Sequence, residues 1–405
     1  MRAIAIAALG VCAACKGSTS GGSGSGTASN PPVAISDAAS GSGGGGSGSG
    51  SAGGAPTLPA LAAVAEHPDA IAALVATDPA TLAWDLFLYL DWPATPGLRG
   101  VPDPSRTLGA SPVVWQTWKE VHETYLAGGA APTGWNDGGP SGPPTASLTE
   151  IDGTTLKDVN GNPITYTVLL NQGTFEYLVS RTLYAYTGQA ALRSPGAAPV
   201  QFPTSAMEVK ASWKILDPIA DKDRLDHYIV GQLLLPQDGG GAPTKVTVGL
   251  TGLHITSKAL PSWIWITFEQ IENPTTTGTK LLLPIDPAVA SVNAAMQKAL
   301  AGTPLAYYQL DGVQTEYTAG GQPTLLANTQ IETTFQKSSS CITCHQRASI
   351  STGKVPRLDL FSMKAGNLAG YVGEPDMTPF GPGPNQYTAL DFVWSMREAK
   401  QPVHP

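Results

Sequence analysis

Hydrophobic positions in the first half of the body recur at helical spacing and predict several helices. Residues 57–90 show this spacing, and Asp78-Pro79 supplies an N-cap and first-turn pair within them. The helix is expected to stop at Trp92-Pro93, because proline cannot continue it. Ser111-Pro112 opens another predicted helix, with an apolar stripe that reaches Tyr125. Two further helices are predicted at 174–186 and 287–300.

In the middle of the chain the spacing changes to alternation, which predicts strands. The turn signal Asn160-Gly161 precedes the first of these segments. Alternating and β-branched residues predict strands at 164–170, 206–216, 226–234, 245–255 and 263–271. Because the strands are grouped and helices lie on either side of them, we predict an α+β fold whose body is a mostly antiparallel sheet.

The run Cys341-Ile342-Thr343-Cys344-His345 carries the strongest chemical signal, since Cys-x-x-Cys-His is the attachment pattern of c-type haem. Positions i, i+3 and i+4 share one face of a helical turn. Cys341 and Cys344 could therefore bond to the haem vinyl groups while His345 ligates the iron. A structural zinc site needs four Cys or His ligands, and this cluster offers three. The sequence thus predicts one covalently bound haem c.

The segment around this motif has the length and element order of a small cytochrome c. Helix is predicted at 327–340 and again at 388–400, with loops between them. We therefore expect residues 325–405 to form an α-helical, cytochrome c-like segment packed on an α+β body at 57–324.

The second axial position of the iron has several candidate ligands. Met377 lies in a proline-rich loop before the final predicted helix, where small cytochromes c place an axial methionine, and is the first candidate. Met363 and His254 are alternatives, as is an open or water-ligated iron. Met396 is expected to pack in the core.

The N-terminus predicts export and a lipid anchor. Residues 1–15 read as a lipoprotein-type signal peptide, with Arg2, a short apolar run and a terminal cysteine. Cys15 is the favoured lipidation site and Cys12 the alternative. Residues 16–56 are rich in Gly and Ser, so they predict a disordered linker that cannot bury enough apolar surface to fold. We therefore expect a periplasmic or cell-surface protein held to the membrane by its lipid.

The composition of the chain limits the kinds of partner that we expect it to bind. The formal net charge is −8 and only 13% of residues are charged, with no basic run, so we expect no nucleic-acid partner. No run of about 20 apolar residues follows the N-terminus, so no membrane-spanning helix is predicted in the body. The sequence identifies no redox partner.

Several runs besides the haem motif are distinctive, and most lie in the predicted body. They are Trp84-Asp85-Leu86-Phe87, Asp91-Trp92-Pro93-Ala94, Met207-Glu208-Val209-Lys210-Ala211-Ser212-Trp213, residues 249–255, residues 263–273 and Asp391-Phe392-Val393-Trp394-Ser395. Together they resemble an uncharacterised bacterial family of cytochrome c family proteins, over nearly all of residues 80–400. The resemblance implies haem binding in one integrated unit and no particular reaction. That family often has a Glu-His pair where this chain has Glu269-Gln270, which weighs against a second histidine there.

Three functions follow from these observations. The first is an electron carrier with a six-coordinate haem. The second is a haem-dependent, peroxidase-like oxidoreductase, in which His254, Glu269 and the Trp263/Trp265 strand line an open face of the haem. The third is a binding protein in which the haem is structural. Aromatic alternation is also common on an ordinary apolar sheet face, which is the simpler interpretation of that strand.

Overall fold

The computed structural model describes residues 56–140, 143–148, 155, 164–237, 241–351, 358, 372–381 and 386–400. Residues 1–55, the Asn160-Gly161 turn and Met363 lie outside this part of the chain, and so do Cys12 and Cys15. The chain divides into Met1–Ser51 and Ala52–Pro405, and all described residues belong to the second unit. The described parts of the body and of the C-terminal segment therefore form one compact unit.

Helices begin the described chain and recur between the strands. Asp78 caps the third helix, since its carboxylate accepts a hydrogen bond from Thr81 N at 3.1 Å. The α-helices are α1 Leu58–Ala65, α2 Pro68–Thr77, α3 Pro79–Leu90, α4 Val121–Thr124, α5 Gln172–Ser180, α6 Tyr186–Ala191, α7 Asn273–Thr276, α8 Pro287–Ala299 and α9 Cys341–Gln346.

A seven-stranded antiparallel sheet forms the centre of the unit. Its strands run in the order β1-β2-β3-β5-β6-β7, and β4 pairs with β5 beside this path. They are β1 Lys119–Glu120, β2 Thr165–Leu170, β3 Met207–Ile215, β4 Val230–Leu235, β5 Thr244–Ser257, β6 Ile264–Gln270 and β7 Tyr308–Gln314. Two small ribbons, β8 Thr318–Ala319 with β9 Gln322–Pro323 and β10 Ser349–Ile350 with β11 Thr388–Ala389, complete the strands described.

Both faces of the sheet are covered, which strand β6 shows most clearly. All seven of its residues are buried. Ile264, Ile266 and Phe268 belong to a large apolar core that includes residues of helices α1, α2 and α3. Because side chains alternate along a strand, Trp265 and Thr267 point to the opposite face, where the C-terminal segment packs.

Helix α8 is tied to α3 and to the sheet edge by one buried amide. Asn293 Oδ1 accepts hydrogen bonds from Trp84 Nε1 and Leu310 N, each at 2.9 Å. Its Nδ2 donates to Leu310 O at 2.9 Å. One side chain therefore satisfies three polar groups inside the apolar core, in the way that buried polar groups require.

The structure confirms the α+β class and the mostly antiparallel sheet. Strands were predicted close to β2, β3, β4, β5 and β6, and helices close to α1–α3, α5 and α8. The predicted helix at 111–125 is wrong, since only Trp115–Thr117 and Val121–Thr124 are helical and Lys119–Glu120 pairs with β2 as an edge strand. Tertiary strand pairing overrides the local helical pattern there.

The two long helices predicted in the C-terminal segment are also wrong. At 327–340 only Gln336–Ser338 is helical, as a 3₁₀ turn. Side chains bond to the backbone instead: Glu332 Oε2 accepts from Asn328 N at 2.7 Å, a contact that competes with helix formation. At 388–400 only the 3₁₀ turn Trp394–Glu398 is helical, because Asp391 and Phe392 have φ of 49° and 72°.

No single described helix is long and apolar enough to span a membrane. Helices α1 and α2 reach that length and apolar character only when they are taken together, and the pair is bent by 94°.

We expect Asn293→Ala to lower the free energy of unfolding by about 2–4 kcal/mol, because it leaves Trp84 Nε1 and the Leu310 backbone without partners in the core. Chemical denaturation followed by tryptophan fluorescence measures this change. Lys298→Ala on the exposed side of the same helix is the control and should change stability by less than about 0.5 kcal/mol. Equal effects of the two substitutions would contradict the structural role of the amide.

Candidate functional site

The Cys-x-x-Cys-His motif forms its own short helix, α9. Gln314 at the end of β7 holds the helix start, since its Oε1 accepts from Ile342 N at 3.0 Å and its Nε2 donates to Ser340 Oγ at 2.9 Å. Near the other end, Trp394 Nε1 donates to Cys344 O at 3.1 Å. The sheet and the C-terminal turn therefore fix both ends of a helix that is too short to be stable alone.

A cavity lies between this helix and the second face of the sheet. It contains about 1220 Å³ of empty space, part of which is open to solvent. On the sheet side it is lined by Tyr166, Val168, Glu208, Lys210, His254, Thr256 and Trp265. On the C-terminal side it is lined by Ile331, Glu332, Phe335, Cys341, Cys344, His345, Phe392, Val393 and Trp394. All three chemically distinctive motif residues thus face one cavity that is partly open to solvent.

Cys341 and Cys344 form no disulfide within the part of the chain that the structure describes. Burial, together with the nearby charges of Glu332 and Cys344, holds the pKa of Cys341 well above its usual range. Its thiol therefore stays protonated at neutral pH. At Cys341 the thiolate that activates a dithiol redox centre is therefore disfavoured.

His345 is neutral and oriented. Burial lowers its pKa to about 4. Its Nδ1 donates to Phe392 O at 2.8 Å, which leaves Nε2 as the acceptor nitrogen, and its ring lies 4.4 Å from the Trp265 ring. A carbonyl that accepts one ring N–H sets the tautomer and orientation of a metal-binding histidine.

The carbonyl that orients His345 sits in a strained turn. Asp391 and Phe392 are consecutive non-glycine residues with positive φ, a conformation that costs about 1–2 kcal/mol per residue. Asp391 Oδ1 pairs with Lys258 Nζ at 2.6 Å, and its Oδ2 accepts from Phe202 N at 2.7 Å. The side chains of this ion pair are only 6% and 10% exposed. The buried pair therefore holds the turn in place.

The sheet side of the cavity is polar in its centre. On β3, Glu208 and Lys210 are paired in register with Thr256 and His254 of β5. Lys210 Nζ lies 4.4 Å from the centroid of the Tyr166 ring. Glu208 Oε1 accepts from Ser395 Oγ at 3.0 Å, and burial raises the pKa of this carboxyl to about 7. A carboxyl, an ammonium and an imidazole thus share one partly buried face.

The structure brings some of the predicted residues together and separates others. Cys341, Cys344, His345 and His254 all line the cavity, whereas Met377 does not. Met377 is half buried in 372–381, where its carbonyl accepts from Phe380 N at 3.0 Å. Met363, Cys12 and Cys15 fall outside the part of the chain that the structure describes.

Of the residues predicted for an open haem face, Trp263 and Trp265 also line the cavity, but Glu269 does not. The Glu269 carboxylate is engaged elsewhere, by Thr329 N at 3.2 Å and Gln309 Nε2 at 3.1 Å. It is therefore not available as a catalytic group in this cavity.

Sequence reasoning missed Glu208, Glu332 and Gln314 as parts of the site. A signal existed in β3, where polar Glu208, Lys210 and Ser212 alternate with apolar residues. Such alternation ordinarily predicts a solvent-exposed face, so it did not reveal a covered one. Gln314 carried no local signal, because its role comes from a helix 28 residues away.

The donor set fits a covalently attached haem. Two thiols and a neutral imidazole face one cavity, with aromatic rings beside them. Within the described ranges, no three His, Cys, Asp or Glu side chains are arranged to hold a bare metal ion.

We expect Glu208 to make stability depend on pH. In the folded chain its carboxyl titrates at about 7 rather than near 4.5, so folding favours the protonated form. The stabilising contribution is complete below pH 4.5 and is lost as the pH rises through 7, by about 3 kcal/mol. Thermal unfolding of the mature protein and of Glu208→Gln across this range measures it.

The difference in stability between Glu208→Gln and the parent protein should grow in favour of the variant as the pH rises. Glu316→Gln removes an exposed carboxyl and is the matched control, with no such trend. Parallel pH profiles for Glu208→Gln and the parent would show that Glu208 ionises normally.

Comparison with known proteins does not assign this chain to a family. No family model matches the chain, and neither a curated protein nor a solved structure matches it. The resemblance to bacterial cytochrome c family proteins therefore remains a prediction from the sequence runs, and the functional argument rests on the site itself.

Proposed function

We propose that this protein is an extracytoplasmic single-haem c-type cytochrome that transfers electrons. The observation that carries the proposal is the shared cavity of Cys341, Cys344 and His345, with the imidazole already held in one tautomer. The haem would supply an iron that gains and loses one electron. The chain would supply its attachment, orientation and shielding from water.

Attachment would use both thiols of α9. Each S–H adds across one vinyl C=C bond, so that sulfur bonds to one carbon and the hydrogen ends on the other. No group leaves, and no external oxidant or reductant is needed. The spacing of Cys341 and Cys344 on one helical face suits two such bonds.

Orientation would rest on His345 and its neighbours. The Phe392 carbonyl fixes the ring through Nδ1, and the Trp265 ring packs against it. The aromatic side chains beside α9 would shield the haem from water. Axial ligation, hydrogen bonding and burial are the means by which a protein sets a haem potential.

The predicted lipoprotein signal peptide, Cys15 and the Gly/Ser-rich residues 16–56 support the location outside the inner membrane. An acceptor or donor protein would meet the haem there. A lipid on Cys15 would keep the protein at a membrane surface, which favours partners that are themselves membrane-bound.

A second candidate function is a haem-dependent oxidoreductase of the peroxidase type. The observation that favours it is His254, which lines the same cavity and could serve as a distal base. Glu269, which that reading also used, is engaged away from the cavity. Electron transfer therefore stays the first proposal.

Covalent haem attachment is tested by producing the chain in cells that carry a c-type haem maturation system. We expect the purified protein to keep its haem under denaturing electrophoresis and to show a mass increase of one haem. The double variant Cys341→Ser/Cys344→Ser should lose all of it, because no thioether bond can form. A parent protein without covalent haem would overturn the proposal.

Lipidation is tested with labelled fatty acid and membrane fractionation. We expect Cys15→Ser to abolish the label and move the protein from the membrane to the soluble fraction. Cys12→Ser is the matched control and should keep both label and location. The opposite result for the two variants would assign the lipid to Cys12.

A further inference from the structure

His254 holds a central place in the cavity. Strand pairing puts it opposite Lys210 of β3 on one side and Thr267 of β6 on the other. It therefore lies in the middle of the sheet face that α9 covers. His254 and His345 both line the cavity.

The Nε2 atom of His254 lies beside a carboxylate without a hydrogen bond to it. The atom is buried and has no hydrogen-bond partner among the described residues. Glu332 Oε2 lies 3.4 Å from this nitrogen, and the two side chains are 14% and 10% exposed. An ion pair is the simplest alternative reading of that contact. Since Glu332 faces Nε2, the ring nitrogen left for a ligand is Nδ1.

The arrangement at His254 parallels that at His345. A metal-binding histidine typically binds through one ring nitrogen and directs the other at a carboxylate or carbonyl. Phe392 O is that acceptor for His345. The Glu332 carboxylate stands in the corresponding place for His254, and Asn328 N fixes it by donating to Oε2 at 2.7 Å.

The methionine candidates lack this placement. Met377 is described, and it does not line the cavity. Among the candidate sixth ligands within the described ranges, His254 is therefore the one that faces the same space as the motif.

We infer that His254 is the second axial ligand of the haem and that Glu332 positions its ring. This inference rests on the proposed function, since it needs the covalent haem. Nitrogen ligands on both faces make the iron six-coordinate and low-spin. They also leave the reduction potential lower than a thioether ligand would, since axial methionine raises it. With both axial positions filled, the site would transfer electrons rather than bind peroxide.

The inference is tested on the purified holoprotein. We expect a low-spin ferric spectrum, an electron paramagnetic resonance signal of bis-histidine type and no iron–sulfur charge-transfer band. His254→Ala should lose the low-spin signal, bind cyanide rapidly and regain the low-spin form when imidazole is added. Met377→Ala is the matched control and should leave every spectrum unchanged.

The outcomes separate this inference from the proposed function. A parent protein with no covalent haem overturns both. A parent protein with covalent haem that is high-spin, or that shows the iron–sulfur band, overturns only the role of His254. An unchanged spectrum in His254→Ala does the same. The parent spectra decide the matter even where His254→Ala fails to fold.

Glu332→Gln tests the positioning role. Removal of the negative charge beside the ligand should raise the reduction potential while the iron stays low-spin. A purely structural role for Glu332 would change protein stability and leave the potential of the folded holoprotein unchanged. That result would overturn the assignment of Glu332.

Discussion

The second face of the sheet carries polar side chains that are buried, and the rest of the structure is arranged around that constraint. Glu208, Ser212 and Thr267 lie on this face beneath the C-terminal segment. Buried polar groups are stable only when they are paired. The covering segment must therefore bring partners, and it does so with side chains rather than with a regular helix.

Two amides show how the covering works. Asn328 Nδ2 donates to Phe268 O at 2.8 Å and so attaches the segment to β6. Gly252 makes room for it, since a Cβ there would lie 2.5 Å from Asn328 Nδ2. Gln314 attaches α9 in the same manner from β7. These contacts outweigh the local tendency to form a helix, because each one gives a buried polar group a hydrogen-bond partner.

This balance explains what the sequence could and could not predict. Strands such as β3 and β5 have strong alternation, and their partners lie nearby, so their positions were predictable. The haem prediction at Cys341–His345 rests on spacing alone, and the structure brings these three side chains to one cavity. The segments 327–340 and 388–400 have helical patterns, but their conformation is decided by partners far away in sequence, such as Phe268 and Lys258. Met377 was favoured as the second axial ligand because it lies where small cytochromes c place a methionine. The cavity, however, is lined by residues of the sheet, which include His254.

The contacts that orient the His345 ring also come from distant parts of the chain. Its acceptor lies in the turn at 391–392, the tryptophan ring beside it on β6 and the lysine that holds the turn just after β5. All three contacts are made by protein groups. Under the proposed function, an iron ligand held by these contacts would have little need to move when the iron changes charge.

The left-handed turn limits which sequences can keep this arrangement. At 391, asparagine would suit the backbone, since Asn and Asp tolerate positive φ, but it would weaken the pair with Lys258. At 392 the side chain is free to vary only among residues without a branched Cβ, because valine or isoleucine is strongly disfavoured at positive φ. Glycine would relieve the strain and loosen the carbonyl at the same time. Variation among related chains should therefore be narrow at these two positions, although neither side chain carries any of the chemistry.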